Sequence, residues 1–242
     1  MKNLFMCFSK LSFLVLFFSF IFSLALAQSE ETKNCNGYFA HQAGTKMELT
    51  IYDKKDKVSQ TLKYQVKNNT PTSTGSIILF NNQICDKDGK QFIEGEYNVE
   101  CKNGQIYADV NNIVSNMTPV ADAEVSITGD KLVYPFDMTQ GQTLEDVDYE
   151  VKQSMSGGGM TLMTLTVSLT NRKVEGFETV TTPAGTFECI KISYDSDAKM
   201  SFMKRKSRCV EYLAKGVGLV KFESFDKKGR KESSQLLTKL DR

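Results

Sequence analysis

The chain contains a single histidine, His41. That scarcity rules out a multi-histidine metal centre, and a Ser-His-acid or Cys-His relay would have to be built on this one ring. No Gly-x-Ser-x-Gly elbow accompanies it, and its neighbours Gly37-Tyr38-Phe39 offer no nucleophile, so His41 reads as a surface or structural residue. No two cysteines stand at the short spacing of a zinc site. Helical periodicity is almost absent, and no stretch rich in Pro, Gly or Ser divides the chain. An excess of one charge is also missing. Of 30 Lys and Arg, two precede residue 28, leaving 28 against 29 Asp and Glu, interspersed rather than blocked. Such a balance gives no footprint for nucleic acid. The one basic run, Lys204-Arg205-Lys206, reads as a solvated strand or hairpin edge.

What is present begins with the N-terminus. Lys2 and Lys10 supply positive charge, Leu11 to Leu26 is nearly all apolar, and Ala25-Leu26-Ala27 is a small-x-small exit. These are the parts of a secretory signal, so residues 1–27 are expected to be removed and residues 28–242 to form a single all-β domain outside the cytoplasm. An uncleaved anchor would need roughly 20 apolar residues, and Ser12, Ser19 and Ser23 dilute this run. Lipid attachment would need Cys at the cleavage point, whereas the nearest are Cys7 and Cys35. The expected location is periplasmic or secreted.

Five cysteines follow the signal: Cys35, Cys85, Cys101, Cys189 and Cys209. An exported compartment permits disulfides, but an odd count leaves at least one thiol unpaired within the chain. Two pairings look local, Cys85 with Cys101 and Cys189 with Cys209, each joining neighbouring strands. The competing reading is that some are buried reduced thiols packed as small apolar residues.

From Thr45 onward the apolar residues recur with period two. Met47, Leu49 and Ile51 alternate with polar residues, as do Leu62, Tyr64 and Val66, and later Tyr97, Val99 and Cys101. This is the signature of strands with one buried and one wet face. Asp53-Lys54-Lys55-Asp56, Asp88-Gly89 and Asn103-Gly104 read as turns. Residues 111–123, with Pro119, suit a short helix or a long loop, and Val125 to Tyr134 suits a hairpin around Gly129-Asp130. Further strands follow the Gly157-Gly158-Gly159 interruption, which is expected to be a flexible connector or bulge. The expected fold is all-β: an antiparallel meander forming a curved, incomplete barrel or sandwich with at most one or two short helices.

Candidate chemical motifs fade on inspection. Asp86-Lys87-Asp88-Gly89 superficially resembles a calcium loop, but the first and twelfth positions would be Ile84 and Gly95, which carry no acidic donor. Asp146, Asp148 and Glu150, beside Glu145, would share one solvated strand face. Met155, Met160 and Met163 could in principle hold copper(I), but core packing at the edge of a cavity is the simpler account. Asn68-Asn69-Thr70 and Asn116-Met117-Thr118 are formal glycosylation acceptors that matter only in a eukaryotic secretory pathway. No catalytic, metal or cofactor-binding residue is assigned, and no cofactor is expected.

Val180-Thr181-Thr182-Pro183-Ala184-Gly185-Thr186-Phe187-Glu188-Cys189, then Tyr212-Leu213-Ala214-Lys215-Gly216-Val217-Gly218-Leu219-Val220-Lys221, carry a family pattern. Over about Phe177–Leu240 the chain resembles the TapB-like family of exported bacterial proteins of unknown function. The resemblance implies a curved, incomplete antiparallel barrel with an apolar concave face. Its motifs specify turns rather than chemistry.

Two functions suit these features. The first is a non-enzymatic exported protein that binds a lipid or other apolar or amphipathic ligand in a curved sheet. Phe80, Phe177, Phe187, Phe222 and Phe225 would then line a cavity, although they could equally fill a core. The alternative is a structural module of a bacterial envelope assembly that binds another protein. A hydrolase is disfavoured.

Overall fold

The computed structural model describes residues 35–108, 123–155, 160–201 and 203–242. The signal segment, the 111–122 stretch and the triple glycine lie outside the described residues. Thirteen strands form one antiparallel sheet: β1 (Lys46–Asp53), β2 (Val58–Pro71), β3 (Gly75–Asp86), β4 (Gln91–Lys102), β5 (Gln105–Ala108), β6 (Ala123–Gly129), β7 (Leu132–Pro135), β8 (Val147–Met155), β9 (Thr161–Thr182), β10 (Gly185–Met200), β11 (Met203–Ala214), β12 (Gly218–Phe225) and β13 (Lys231–Asp241). Their order across the sheet is β6-β8-β9-β10-β11-β12-β13-β1-β2-β3-β4-β5-β7. The sheet is open, curved and not closed into a barrel, and the described residues contain no helix.

The period-two patterns produce these strands directly, because alternation puts one row of side chains inside. Val66, Ile78, Phe80, Val99, Ile106, Ile190, Ile192, Val220 and Leu237 are nearly or fully buried and belong to one apolar cluster. Three hairpins share one turn chemistry. Asp53, Asp86 and Asp226 each accept, at one carboxylate oxygen, the backbone N–H groups two and four residues on, at 2.8–3.0 Å. The matching sequences are Asp53-Lys54-Lys55-Asp56-Lys57, Asp86-Lys87-Asp88-Gly89-Lys90 and Asp226-Lys227-Lys228-Gly229-Arg230. The fourth residue of each takes positive φ, at 56°, 82° and 74°. An aspartate at the first place and a residue tolerant of left-handed φ at the fourth are what such a turn requires. The resemblance of Asp86–Gly89 to a calcium loop is thereby explained as a turn.

The hairpin expected around Gly129-Asp130 does not form. Its two strands exist, but β6 pairs with β8 and β7 pairs with β5, so consecutive strands occupy opposite edges of the sheet. Asp130 is still clipped to β8, with its N–H on the Asp148 carbonyl at 2.9 Å, while Lys131 already reaches Glu100 of β4 at 3.9 Å. Three peptide steps, from Gly129 to Leu132, span at most about 11 Å. The two edges must therefore approach within that distance, which curls the sheet almost upon itself. Periodicity detects strands but carries no information on which neighbour each one chooses, so the misassigned pairing was invisible to it.

The cysteine pairing also differs from the local expectation. Cys35 is bonded to Cys101 with Cα atoms 5.8 Å apart, and Cys85, Cys189 and Cys209 are buried free thiols. Cys101 lies opposite Ser76, at the far end of the β3–β4 hairpin from Cys85. Cys209 lies opposite Tyr194, five residues along β10 from Cys189, which is about 17 Å at strand rise. A disulfide tolerates less than about 7 Å between Cα atoms, so adjacent strands were not sufficient; equal distance from the turn was needed. The bridge fastens the segment around Tyr38 and Ala40 inside the sheet, where a side chain at Gly37 would meet the Phe136 ring at 2.6 Å.

Two outcomes follow for stability. Gly129 has φ +126°, and a Cβ there would sit 2.2 Å from the Asp148 carbonyl oxygen. Gly129→Ala is expected to cost at least about 2 kcal/mol in urea unfolding, against a few tenths for Gly44→Ala at an open turn. Cys35→Ser with Cys101→Ser, which opens a closed loop spanning 66 residues, should lower stability by about 2–4 kcal/mol. The readout is the urea midpoint under non-reducing conditions.

Candidate functional site

The interior is divided. Around β1–β5 and the centres of β9–β13 it is filled. Phe80 stacks on Tyr97 at 5.2 Å between ring centres, Phe39 meets Phe80 edge-on at 6.0 Å, and Tyr64 meets Tyr97 edge-on at 6.4 Å. Burial alone drives the Tyr64 hydroxyl up to about 12. The phenylalanines expected to line a cavity do not do so together. Phe80 is locked in this packed group, Phe187, Phe222 and Phe225 are half-buried, and Phe177 stands 65% exposed on the surface.

At the seam where the sheet curls lies a buried polar cluster that no sequence pattern announced. Arg172 of β9 and Glu211 of β11, two strands apart, meet Tyr134 of β7 from the opposite edge of the sheet. Tyr134 donates to the Glu211 carboxylate at 3.1 Å, and the Arg172 guanidinium lies 5.3 Å from the Tyr134 ring centre. Arg172 Nη1 donates to the Glu145 carbonyl at 2.7 Å, while Nε and Nη2 have no hydrogen-bond partner within 3.5 Å among the described residues. Burial raises the Glu211 carboxyl to about 7, opposed by the Arg172 charge and the Tyr134 hydrogen bond. A carboxyl so tuned could serve as an acid or base, but Arg172 is fully buried and Tyr134 and Glu211 nearly so, leaving a substrate no access. The cluster therefore acts as a clasp between the facing parts of the sheet.

The remaining chemical candidates are scattered. His41 is half-buried, with Nδ1 3.5 Å from the Phe39 carbonyl, and borders a 430 Å³ cleft with Asn69 and Ser76. Ser76 donates to Cys35 Sγ at 2.8 Å, so its hydroxyl is engaged with the disulfide rather than with His41. Burial pushes the Cys189 thiol to about 12 and Cys209 to about 11, the opposite of an activated thiolate. Among the described residues no three potential metal ligands gather. Asp148 and Glu150 alternate with buried Val147 and Val151 on β8, as a solvated face should, and Asp146 precedes the strand. A cleft of 750 Å³ is lined by charged and hydroxyl side chains of β9, β10 and β11. There Asp195 pairs with Arg208 at 3.2 Å and Asp197 with Lys206 at 3.1 Å, so its charges satisfy one another.

One apolar surface that remains open lies on a wing formed by β6, β8 and the adjoining parts of β9, β10 and β11. Ile127, Val151, Leu165, Met200 and Met203 are successive cross-strand partners and so share one face. Further along the same face Val147, Val167 and Leu169 form a small separate core. Val151 is covered; Ile127, Leu165 and Met200 are half-buried, and Met203 is 52% exposed. Met155 and Met160 are also exposed, at the β8–β9 tip, rather than packed in a core as their neighbourhood suggested. The tip extends beyond the strands that would have covered them.

The Glu211 assignment makes a pH-dependent prediction. Its folded pKa of about 7 exceeds the ordinary value of 4.5, so between those values the folded chain holds a proton that the unfolded chain releases. Glu211 therefore lowers stability as pH rises from about 4.5 to about 7, by roughly 3 kcal/mol in all. Glu211→Gln keeps an acceptor for Tyr134 and should gain stability over the parent chain by about that amount at pH 8 relative to pH 4.5. The check is urea unfolding across that range, and a constant difference between the two proteins would refute it.

This geometry has relatives. An inferred exported protein of YmcC-like fold from Bacteroides fragilis NCTC 9343 superimposes with a TM-score of 0.72 at 24% identity, over 86% of this chain and 100% of that one. An inferred lipoprotein from Parabacteroides distasonis ATCC 8503 gives 0.71 at 22% identity, over 86% and 99%. At that identity they establish a shared fold. No curated protein matches the chain. The TapB-like name suggested by the turn motifs is not the one confirmed. The family model that matches does so over residues 42–237, nearly the whole described sheet, and the chain belongs to the DUF3108-like family.

Proposed function

We propose that the protein is a non-enzymatic extracytoplasmic binding protein that holds an apolar or amphipathic ligand, such as an acyl chain, on the open face of its wing. The observation that carries this reading is the cross-strand row Ile127, Val151, Leu165, Met200 and Met203. Five strands at sheet spacing give a row about 19 Å long, the reach of a long acyl chain. Methionine and leucine on that row can adapt to ligands of varied shape. An apolar patch left open at a sheet face is a feature of binding surfaces rather than of inert ones.

Location is part of the proposal. The first 27 residues have the organisation of a cleaved signal, and the Cys35–Cys101 bridge suits an oxidising compartment. The solved neighbours are described as exported and as a lipoprotein, which agrees with a place outside the cytoplasm. Residue 28 is Gln rather than Cys, so a freely soluble mature chain beginning there, folded as one domain, is the form proposed. The buried thiols, with raised pKa values, and the sealed Glu211 favour binding over catalysis.

The expected result is saturable one-site binding of a fluorescent acyl probe to the mature protein, weakened at least about tenfold by Leu165→Glu with Met200→Glu. A probe that fails to saturate, together with no lipid in organic extracts of the native protein, would count against the reading.

A further inference from the structure

The face of the wing that bears the row from Ile127 to Met203 is uncharged except at one place. At alternate positions from 147 to 153, 163 to 169, 194 to 200 and 203 to 209, the one charged side chain is Arg205. The opposite face is the reverse. There, every alternate position from 148 to 152, from 195 to 199 and from 204 to 208 is charged. Solvation accounts for the charges of that opposite face. It does not account for Arg205.

Register places Arg205 opposite Ala198, which lies opposite Val167, and Ala198 packs on the small core of Val147, Val167 and Leu169. Met203 stands two residues along the same strand, about 7 Å at strand rise and on the same face. β12 ends at Phe225, opposite Arg208, so among the described residues no strand pairs with that side of β11 from 203 to 207. Glu232 of β13 reaches into this step. Its Oε2 accepts from Arg205 Nε at 3.4 Å and from Ser207 Oγ at 2.9 Å, and lies 3.2 Å from Arg205 Nη2. One oxygen thus occupies the Nε–Nη2 edge of the guanidinium. Nη1 has no hydrogen-bond partner among the described residues, and the side chain stays 63% exposed. An exposed pair of this kind adds little to stability, but it holds the guanidinium in place and leaves its Nη1–Nη2 edge open.

We propose that Arg205 is the residue that selects the head group of the wing's ligand. The ligand is an amphipath whose anionic head, a carboxylate or a phosphate ester, accepts hydrogen bonds from Arg205 Nη1 and Nη2. This rests on the acyl-binding reading above and adds the head group to it. Two N–H donors in one plane match two oxygens of such a head, whereas an uncharged hydroxyl meets only one of them. A cationic head would be repelled. A chain laid along the row has its head beside Met203 and Arg205 and its methyl end toward Ile127, so its direction is set as well. Glu232 is a positioning residue, and the two edges of one guanidinium let it and the bound head share Arg205.

The test is competition of dodecanoic acid, dodecyl phosphate and dodecanol against a fluorescent acyl probe. It uses the mature, disulfide-bonded protein at pH 8 and about 0.1 M salt. At least one of the two anions should bind about tenfold or more tightly than the alcohol, and the tighter of them identifies the head. Arg205→Gln should erase that preference without changing affinity for the alcohol. Lys204→Gln removes the same charge from the opposite face and should keep the preference. Both positions are exposed, and unchanged urea midpoints will show that the variants are folded. Equal affinity of the parent protein for the anions and the alcohol would overturn the proposal while leaving the acyl row in place. So would a preference that survives Arg205→Gln, or one that Lys204→Gln removes equally. Binding of none of the three, the alcohol included, would instead remove the acyl-binding reading and this proposal with it.

Discussion

The short passage from β6 to β7 governs this structure. Two strands adjacent in sequence are sent to opposite edges of a thirteen-stranded sheet with only Asp130 and Lys131 between them. A chain that short cannot cross a flat sheet of that width, so the sheet must curl until its edges nearly meet. Gly129 makes the departure possible, because no side chain fits beside the Asp148 carbonyl. The Tyr134–Glu211–Arg172 clasp then ties β7 to β9 and β11 across the interior. Burying a guanidinium with unpartnered nitrogens beside a carboxyl raised toward neutrality is costly. That such a cluster sits at the seam is consistent with a role in fixing which strands face one another, where a purely apolar contact would allow slippage.

Curling divides the molecule into two unlike halves. In one, the disulfide-tethered segment around Tyr38 and Ala40 is buried in the main apolar cluster, together with the stacked rings of Phe80 and Tyr97. In the other, β8–β11 run past the point where the sheet has anything to face, and their apolar side is covered only near Val147, Val167 and Leu169. The proposed binding surface therefore lies on an exposed wing and not in the interior of a half-barrel.

Local features were legible in the sequence because they depend on near neighbours. Alternation located β1, β2, β4 and most later strands, and Asp-rich segments marked turns whose hydrogen bonds the structure bears out. Long-range choices were not legible. The pairing of β6 with β8, the Cys35–Cys101 bridge and the meeting of Arg172 with Tyr134 and Glu211 each join positions related only through the finished sheet. An isolated Arg172 between Asn171 and Lys173 looks like one more surface charge, and only the irregularity after Thr170, with Asn171 at φ 56°, turns it inward. Met155 and Met160 misled in the other direction, since apolar type alone suggested a core where the chain in fact projects.

Methionines report on both halves, which makes one measurement decisive. Met47 and Met138 belong to the packed core, whereas Met163 and Met200 lie on the wing and Met155, Met160 and Met203 at its tips. In a titration of the methyl-labelled mature protein with a soluble acyl ligand, followed by methyl resonance shifts, Met163, Met200 and Met203 should move in a saturable way while Met47 and Met138 stay fixed. Saturable shifts at Met47 and Met138, with the wing unmoved, would place the ligand in the interior and contradict the account.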